Sequence, residues 1–324
     1  MDNETLFGRE QLKRSAETRV SELGAVLEDY HRRERALPGI QSQARRESFV
    51  LQLLDSSRRT EYVSRMLGRN LADLRRDPAQ PMFDPILGAI VCSRGGEYEE
   101  ACWLTLLATQ FGKAAASGWE LCRAVYGRLG SEVVSSWERT SSNPRELCEW
   151  IVGNADEIKR GPPPRRFGNH RKYESLLDKG ARGTPATLRT YVAWVMAAGS
   201  HAALIDAAVV AADGDRFRAF DDLYRSMSAV SSFGRLARFD YLSMLGKLQL
   251  APIAAGSTYV STSTGPLAGA ALLFFDASTA THSAAAIDLW LRDLGQRLGV
   301  TMQDLEDALC NWQKSPDSYR RFSG

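Results

Sequence analysis

The chain lacks the usual grammar of a metal site. Its five cysteines (92, 102, 122, 148 and 310) form no CxxC pair and fit no zinc or iron–sulfur spacing. Its four histidines (31, 170, 201 and 282) are scattered. We expect no metal and no other cofactor. An odd cysteine count, with no leader-like segment in the polar start MDNETLFGRE, points to free thiols in a reducing cytoplasm. Net charge is also lacking: 41 Lys and Arg against 39 Asp and Glu leave +2, so any charged partner must be met by local clusters. The longest apolar region, AWVMAAGSHAALIDAAVVAA at 193–212, is interrupted by His201 and Asp206. It reads as a buried core helix and not a membrane span. Alternating strand patterns of useful length and internal repeats are absent as well.

What is present is helical periodicity, in a chain of 324 residues with 44% apolar content, enough for one large domain or two ordinary ones. The fold class is all-α. Charged amphipathic segments fill residues 10–75, and DPAQPMFDP then breaks the pattern with Pro78, Pro81 and Pro85. This divides the chain into a helical subdomain at 1–75 and a core at 76–324. A second break, KRGPPPRRFGNHRKYES, is extended because three consecutive prolines cannot continue a helix. Apolar helices follow at about 186–212 and 219–230, and the last two at about 284–298 and 302–313.

The stretch STSTGPLAGAALLFFDA (261–277) carries no basic residue, no His and no Cys. One reading is a tight Gly-Pro turn into a buried Ala/Leu helix. The other is a helix–hairpin–helix element, in which backbone N–H groups and a helix N-terminus face a DNA phosphate. Small side chains then let the phosphate reach the main chain. On that reading the phosphate-side residues are Ser263, Thr264, Gly265, Leu267 and Gly269, in a hairpin at about 258–275. Asp288 comes 23 residues after Gly265, beside the apolar stripe Ile287, Leu291, Leu294 and Leu298. An Asp at a helix start is also favoured by the helix dipole alone.

Two other segments carry polar chemistry. From Lys159 to Arg182 there are eight basic residues and two acidic ones, a local +6. Arg165, Arg166, Arg171 and Lys172 are the candidates for phosphate contact, against a plain solvated basic loop. In FGRLARFDYL, Arg235 and Arg238 can hold a phosphate or fix a loop by pairing with Asp240. Asp240 is the runner-up catalytic carboxylate. Trp103, Gln110, Asn169, His170, Tyr173 and Tyr241 are candidates for a base pocket, Trp103 competing with a plain core role.

The layout of hairpin, apolar helix, loop and carboxylate resembles the helix-hairpin-helix DNA glycosylase superfamily, with GPLAGAALL as hairpin and second helix and AIDLWLRDL as the catalytic-aspartate helix. The resemblance implies that Asp288 stabilises oxocarbenium character on the sugar and orients or deprotonates the attacking water. Strand-cleaving members carry a lysine two residues after the last hairpin glycine. Leu267 stands there, which implies a monofunctional enzyme. The four-cysteine cluster of some members is absent. Several further segments (LPGIQSQARRESFVLQLLDSSRRTEYV, EYEEACWLTLLATQFGK, FGNHRKYESL, LYRSMSAVSSFGRLARFDYLSMLGKL and STGPLAGAALLF) together resemble a narrower group, the alpha-glutamyl/putrescinyl thymine pyrophosphorylase clade 3 family, over roughly residues 36–276. That family is linked to hypermodified bases in phage-type DNA.

The expectation is a DNA glycosylase that excises a bulky hypermodified base, such as glucosylated 5-hydroxymethylcytosine, in anti-phage defence. Its partner is double-stranded DNA containing modified bases, with no membrane and no obligatory protein partner. Two alternatives stay open. One is a transferase, in which an amine displaces pyrophosphate from activated 5-hydroxymethyluracil in DNA, with Arg171, Lys172, Arg235 and Arg238 on the pyrophosphate. The other is a non-catalytic DNA-binding module.

Overall fold

A computed structural model describes residues 3–321. Among them there are fifteen α-helices and no strand, so the chain is all-α. In chain order they are α1 (Asn3–Arg33), α2 (Gln43–Leu67), α3 (Pro85–Arg94), α4 (Tyr98–Phe111), α5 (Glu120–Tyr126), α6 (Trp137–Ser142), α7 (Pro144–Gly153) and α8 (Ala155–Lys159). Then come α9 (Thr184–Met196), α10 (His201–Ala211), α11 (Arg216–Ser226), α12 (Arg235–Lys247), α13 (Gly265–Phe275), α14 (Ala284–Leu298) and α15 (Met302–Trp312).

The described residues divide into two compact units, residues 3–62 with 256–321, and residues 63–255. The sequence-based boundary at 75/76 differs from this division in kind. The Pro-rich break at 77–85 lies within the second unit, and the N-terminal helices group with the C-terminal segment. Local proline content cannot report which distant helices bury one another.

In the first unit, α1 and α14 pack their apolar stripes together. Leu27, Tyr30, Ile287, Leu291 and Leu294 are all buried there. Each such side chain contributes roughly 1.5–3 kcal/mol of burial energy. Ser283 caps α14 by accepting from the Ala286 amide, and Gly299 ends it in the left-handed region at φ 64°. Close backbone approach decides the rest. A Cβ on Gly269 would stand 2.4 Å from the Leu309 carbonyl oxygen of α15, and one on Gly39 would stand 1.9 Å from that of Leu272. Gly269 is therefore required for packing α13 on α15, and Gly39 for seating the turn at 38–40 on α13.

In the second unit, α4 is the central helix, with residues 101–108 buried. It packs against α3, α6, α10 and α12. A buried polar chain crosses this core. Glu99 Oε2 bonds His201 Nδ1 (2.6 Å), His201 Nε2 bonds the Tyr191 hydroxyl (2.7 Å), and that hydroxyl bonds Tyr241's (2.6 Å). Each buried polar group thereby finds a partner, at the cost of a demanding geometry.

The apolar region at 193–212 is not one buried helix. It breaks at 197–200 into α9 and α10, bent by 62°. Gly199 takes φ 94° and Ser200 caps α10 by accepting from the Ala203 amide. Within α10 only His201 and Ile205 are buried, and Val210 is 76% exposed. Among the described residues no single helix is long and apolar enough to cross a membrane. None of the five cysteines is in a disulfide, and four of them are buried.

Candidate functional site

Asp288 lies in the second turn of α14, too far along to cap it; Ser283 does that. Its carboxylate is half-buried, and two neutral donors reach one oxygen. The Thr258 hydroxyl donates to Oδ1 at 2.6 Å and the Val260 amide at 3.4 Å. No described residue bonds Oδ2. The donors are aimed by a strained backbone: Tyr259, between them, sits in the left-handed region at φ 51°, which costs about 1–3 kcal/mol for a residue other than glycine. Strain of this kind persists where the surroundings demand it, here to turn both donors onto one oxygen.

The segment ahead of α13 is not the glycine-turn hairpin expected from GPLAG. It is the left-handed Tyr259, a short 3-10 turn at Val260–Thr262, an extended Ser263 and then the helix. Gly265 is the first helical residue and has no positive φ; its smallness admits Cys310 Sγ, 3.0 Å from where a Cβ would stand. Ser263 is buried and donates back to the Val260 carbonyl at 3.0 Å, and Gly269 is buried against α15. Neither is open to a phosphate. Thr264, Gly265 and Leu267 remain accessible, and no side chain caps the first turn of α13.

In the second unit the polar candidates separate into buried and exposed sets. Trp103 is buried and donates its indole N–H to the Ser135 carbonyl at 2.8 Å. Tyr241 is buried in the polar chain described above. Gln110 is also buried. Its Oε1 accepts from Arg171 Nη2 at 2.7 Å and its Nε2 donates to the Thr184 hydroxyl at 3.1 Å. These three belong to the core and form no base pocket. Helical period put Trp103 and Gln110 on one face of α4 but could not say that residues 101–108 of that helix are all buried.

Arg171 is likewise withdrawn from any phosphate. It also donates to the Ser232 carbonyl (3.3 Å), pairs with Glu174 (3.3 Å) and covers the Phe233 ring, and burial pulls its pKa down from the ordinary value. Arg238 donates to the Tyr224 carbonyl at 3.2 Å and lies over that ring, and Arg165 donates to the carbonyls of Glu157 and Ile158 at the end of α8. Arg235 opens α12, half-exposed. Arg166, Asn169 and Lys172 are exposed, and Tyr173 is 91% exposed with the Lys172 ammonium 5.1 Å from its ring centre. Asp240, expected to pair with arginine, instead bonds His170 Nδ1 through Oδ2 at 3.3 Å, with His170 46% exposed.

An open cleft of about 680 Å³ also lies in the second unit. The first turn of α4 contributes Glu99 and Glu100, and Tyr98, Tyr126 and Trp137 supply aromatic walls. Burial raises the pKa of Glu100, opposed by bonds from the Tyr126 hydroxyl and the Trp137 amide, each 2.7 Å long. Burial alone would raise Glu99 too. Bonds from the His201 ring and amide and from the Ala202 amide override it and hold that carboxyl down to about 2. Sequence reasoning passed over this cleft, although the run Glu97-Tyr98-Glu99-Glu100 before an apolar helix was a readable charge cluster.

The fold and these groups define a strand-free helical protein whose reactive polar groups sit at helix starts and connecting loops. A family model described as alpha-glutamyl/putrescinyl thymine pyrophosphorylase clade 3 matches residues 44–324, and the chain belongs to that family. The family is related to DNA hypermodification, which makes this an enzyme family acting on modified DNA. Comparison with curated proteins and with solved structures returns no match.

Proposed function

We propose that the protein is a monofunctional DNA glycosylase that hydrolyses the bond between deoxyribose and a bulky hypermodified base. Glucosylated 5-hydroxymethylcytosine is the type of base we have in mind, and defence against phages with modified DNA is the setting. The observation that carries this reading is the Asp288 carboxylate, oriented through one oxygen by Thr258 and Val260, with no described residue bonding its second oxygen. A carboxylate fixed in this way can stabilise positive charge on C1′ as the glycosidic bond breaks, and can take a proton from the attacking water. Water oxygen bonds C1′, the base departs with the electron pair of the C1′–N bond and is protonated, and an abasic site remains.

Supporting groups follow the same logic. The uncapped first turn of α13, at Gly265 and Leu267, offers main-chain amides to a backbone phosphate. Arg166 and Lys172 add exposed positive charge, and Tyr173 an exposed ring for stacking on a base. Leu267 provides no amine, so no Schiff base forms and the strand stays intact.

Product analysis tests the reading. The protein is incubated with DNA carrying glucosylated, hydroxymethylated or unmodified pyrimidines, and abasic sites and free base are measured. Free base in step with abasic sites, without strand breaks, is the expected result. Pyrophosphate release in step with amine addition to activated 5-hydroxymethyluracil DNA, and no abasic sites, would replace the glycosylase with the transferase. Binding without any product would leave a DNA-binding module.

A further inference from the structure

The helix α10 has the composition of a core and the exposure of a surface. Its sequence, HAALIDAAVVA, holds one acid and no Lys or Arg, yet only His201 and Ile205 are buried. Ala203, Asp206, Ala207, Val210 and Ala211 are exposed. Their spacings of three and four residues put them on one face, about 12 Å long at ~1.5 Å per residue. The end of α9 at 196–198 is exposed and carries no charge, and Phe217 is exposed at the start of α11. In a chain with 25% charged residues, an apolar helix with so little covering it marks an interaction surface.

The few charges at this surface say what fits it. Asp206, in the middle of the face, forms no ion pair among the described residues. At the C-terminal end of α10 the turn at 212–215 is held to the helix by bonds from the Gly214 amide to the Val209 carbonyl (2.9 Å) and from the Asp215 amide to the Ala212 carbonyl (3.0 Å). Asp213 pairs with Arg218 there at 3.3 Å, and Asp215 caps α11. Arg216 is exposed, lies over the Phe217 ring and forms no ion pair among the described residues. The surface thus presents an unmatched carboxylate at its middle and an unmatched guanidinium toward one end, which makes it complementary to itself. Two copies of α10 packed antiparallel about a twofold axis bring Asp206 of each to the C-terminal end of the other, beside Arg216. The alanines at 203, 207 and 211 let the two helices approach closely, and Val210 is covered. A bilayer fits less well, because an interfacial helix carries Lys and Arg around its apolar face, and the one charge on this face is a carboxylate.

We propose that α10 is the centre of an isologous contact between two copies of this chain. The contact uses a surface of the second unit alone and does not depend on the reaction at Asp288.

The test uses the full chain without DNA. Sedimentation equilibrium is measured over a concentration series reaching about 200 µM, since a contact of this modest size belongs to the weak class. The expected result is a monomer–dimer equilibrium whose dissociation constant rises by about tenfold or more in Val210→Glu. Asp206→Lys and Arg216→Glu each weaken the dimer by about threefold or more, and combining them restores it, because the two charges have exchanged places. A control variant, Glu149→Gln, removes an exposed charge elsewhere and leaves association unchanged. All three altered side chains are exposed, and circular dichroism and melting establish that the variants are folded. A chain that stays monomeric throughout, a dimer that Val210→Glu does not weaken, or charge variants whose losses add in the double variant instead of cancelling overturns the proposal. Co-sedimentation with phosphatidylcholine and phosphatidylglycerol vesicles is the remaining arm: vesicle binding by a chain that is monomeric in solution gives the face to a membrane and overturns the contact between copies.

Discussion

Asp288 and Asp240 are both half-buried aspartates near the start of a helix, yet their partners differ in kind. Asp288 is held through one oxygen by a hydroxyl and an amide, neither of which takes up a proton at ordinary pH. Asp240 is bonded to an imidazole that is itself a proton donor and acceptor and is half open to solvent. Neutral donors orient a carboxylate without sharing its charge. A histidine partner instead ties one carboxylate oxygen to an exposed side chain of a separate loop. On that difference rests our proposal that Asp288 faces the developing positive charge, while Asp240 holds the His170 loop.

The largest effect is expected for Asp288→Asn, which keeps the shape and removes the charge. Base excision should fall by about 10²–10⁴-fold, the usual contribution of one positioned acid–base group, with little change in DNA affinity. Arg171→Met comes next and acts on stability. It strands Glu174 and Gln110 inside the second unit and should cost about 3–5 kcal/mol in urea unfolding, the usual result of removing one member of a buried pair. Had Arg171 been a phosphate ligand, the same variant would leave stability intact and weaken DNA binding instead. In the first unit, Gly269→Leu should destabilise by about 1–3 kcal/mol or more, because α13 must move off the Leu309 carbonyl. If unfolding is unaffected while DNA binding is lost, Gly269 serves the phosphate and not the packing.

A smaller effect concerns acid. Glu99 is held at about 2 in the folded chain against an ordinary 4.5. A depressed folded pKa gives stability that is present above about 4.5 and is lost as pH falls toward about 2. Glu99→Gln should therefore flatten the stability–pH curve in that window. His170→Ala, the mildest change, should reduce excision by less than about threefold, since it removes the partner of Asp240 and leaves Asp288 untouched.

Much of the fold was legible from periodicity and caps. The apolar period placed the helix at 284–298 and the final one near 302–313 to within a residue, and Ser283, Gly299 and Thr301 cap them in the structure. The grouping of α1 and the start of α2 with the C-terminal segment was not, since it depends on contacts more than 200 residues apart, such as Arg45 with Asp276. The small residues of GPLAG were read as room for a phosphate. Gly269 is instead room for a neighbouring helix, and the sequence alone cannot say which large neighbour a glycine admits. Trp103, Gln110, Tyr241 and Arg171 had the chemistry of a site and the burial of a core, a distinction that periodicity on a single helix does not make.

Asp288, and not Asp240, is proposed to assist the departure of the base. Single-turnover release of free base from DNA carrying a bulky modified pyrimidine, measured side by side for the unaltered protein, Asp288→Asn and Asp240→Asn, tests it most directly. A loss of about 10²–10⁴-fold is expected for Asp288→Asn and of less than about threefold for Asp240→Asn. Equal activity of Asp288→Asn and the unaltered protein, or a large loss confined to Asp240→Asn, would contradict it.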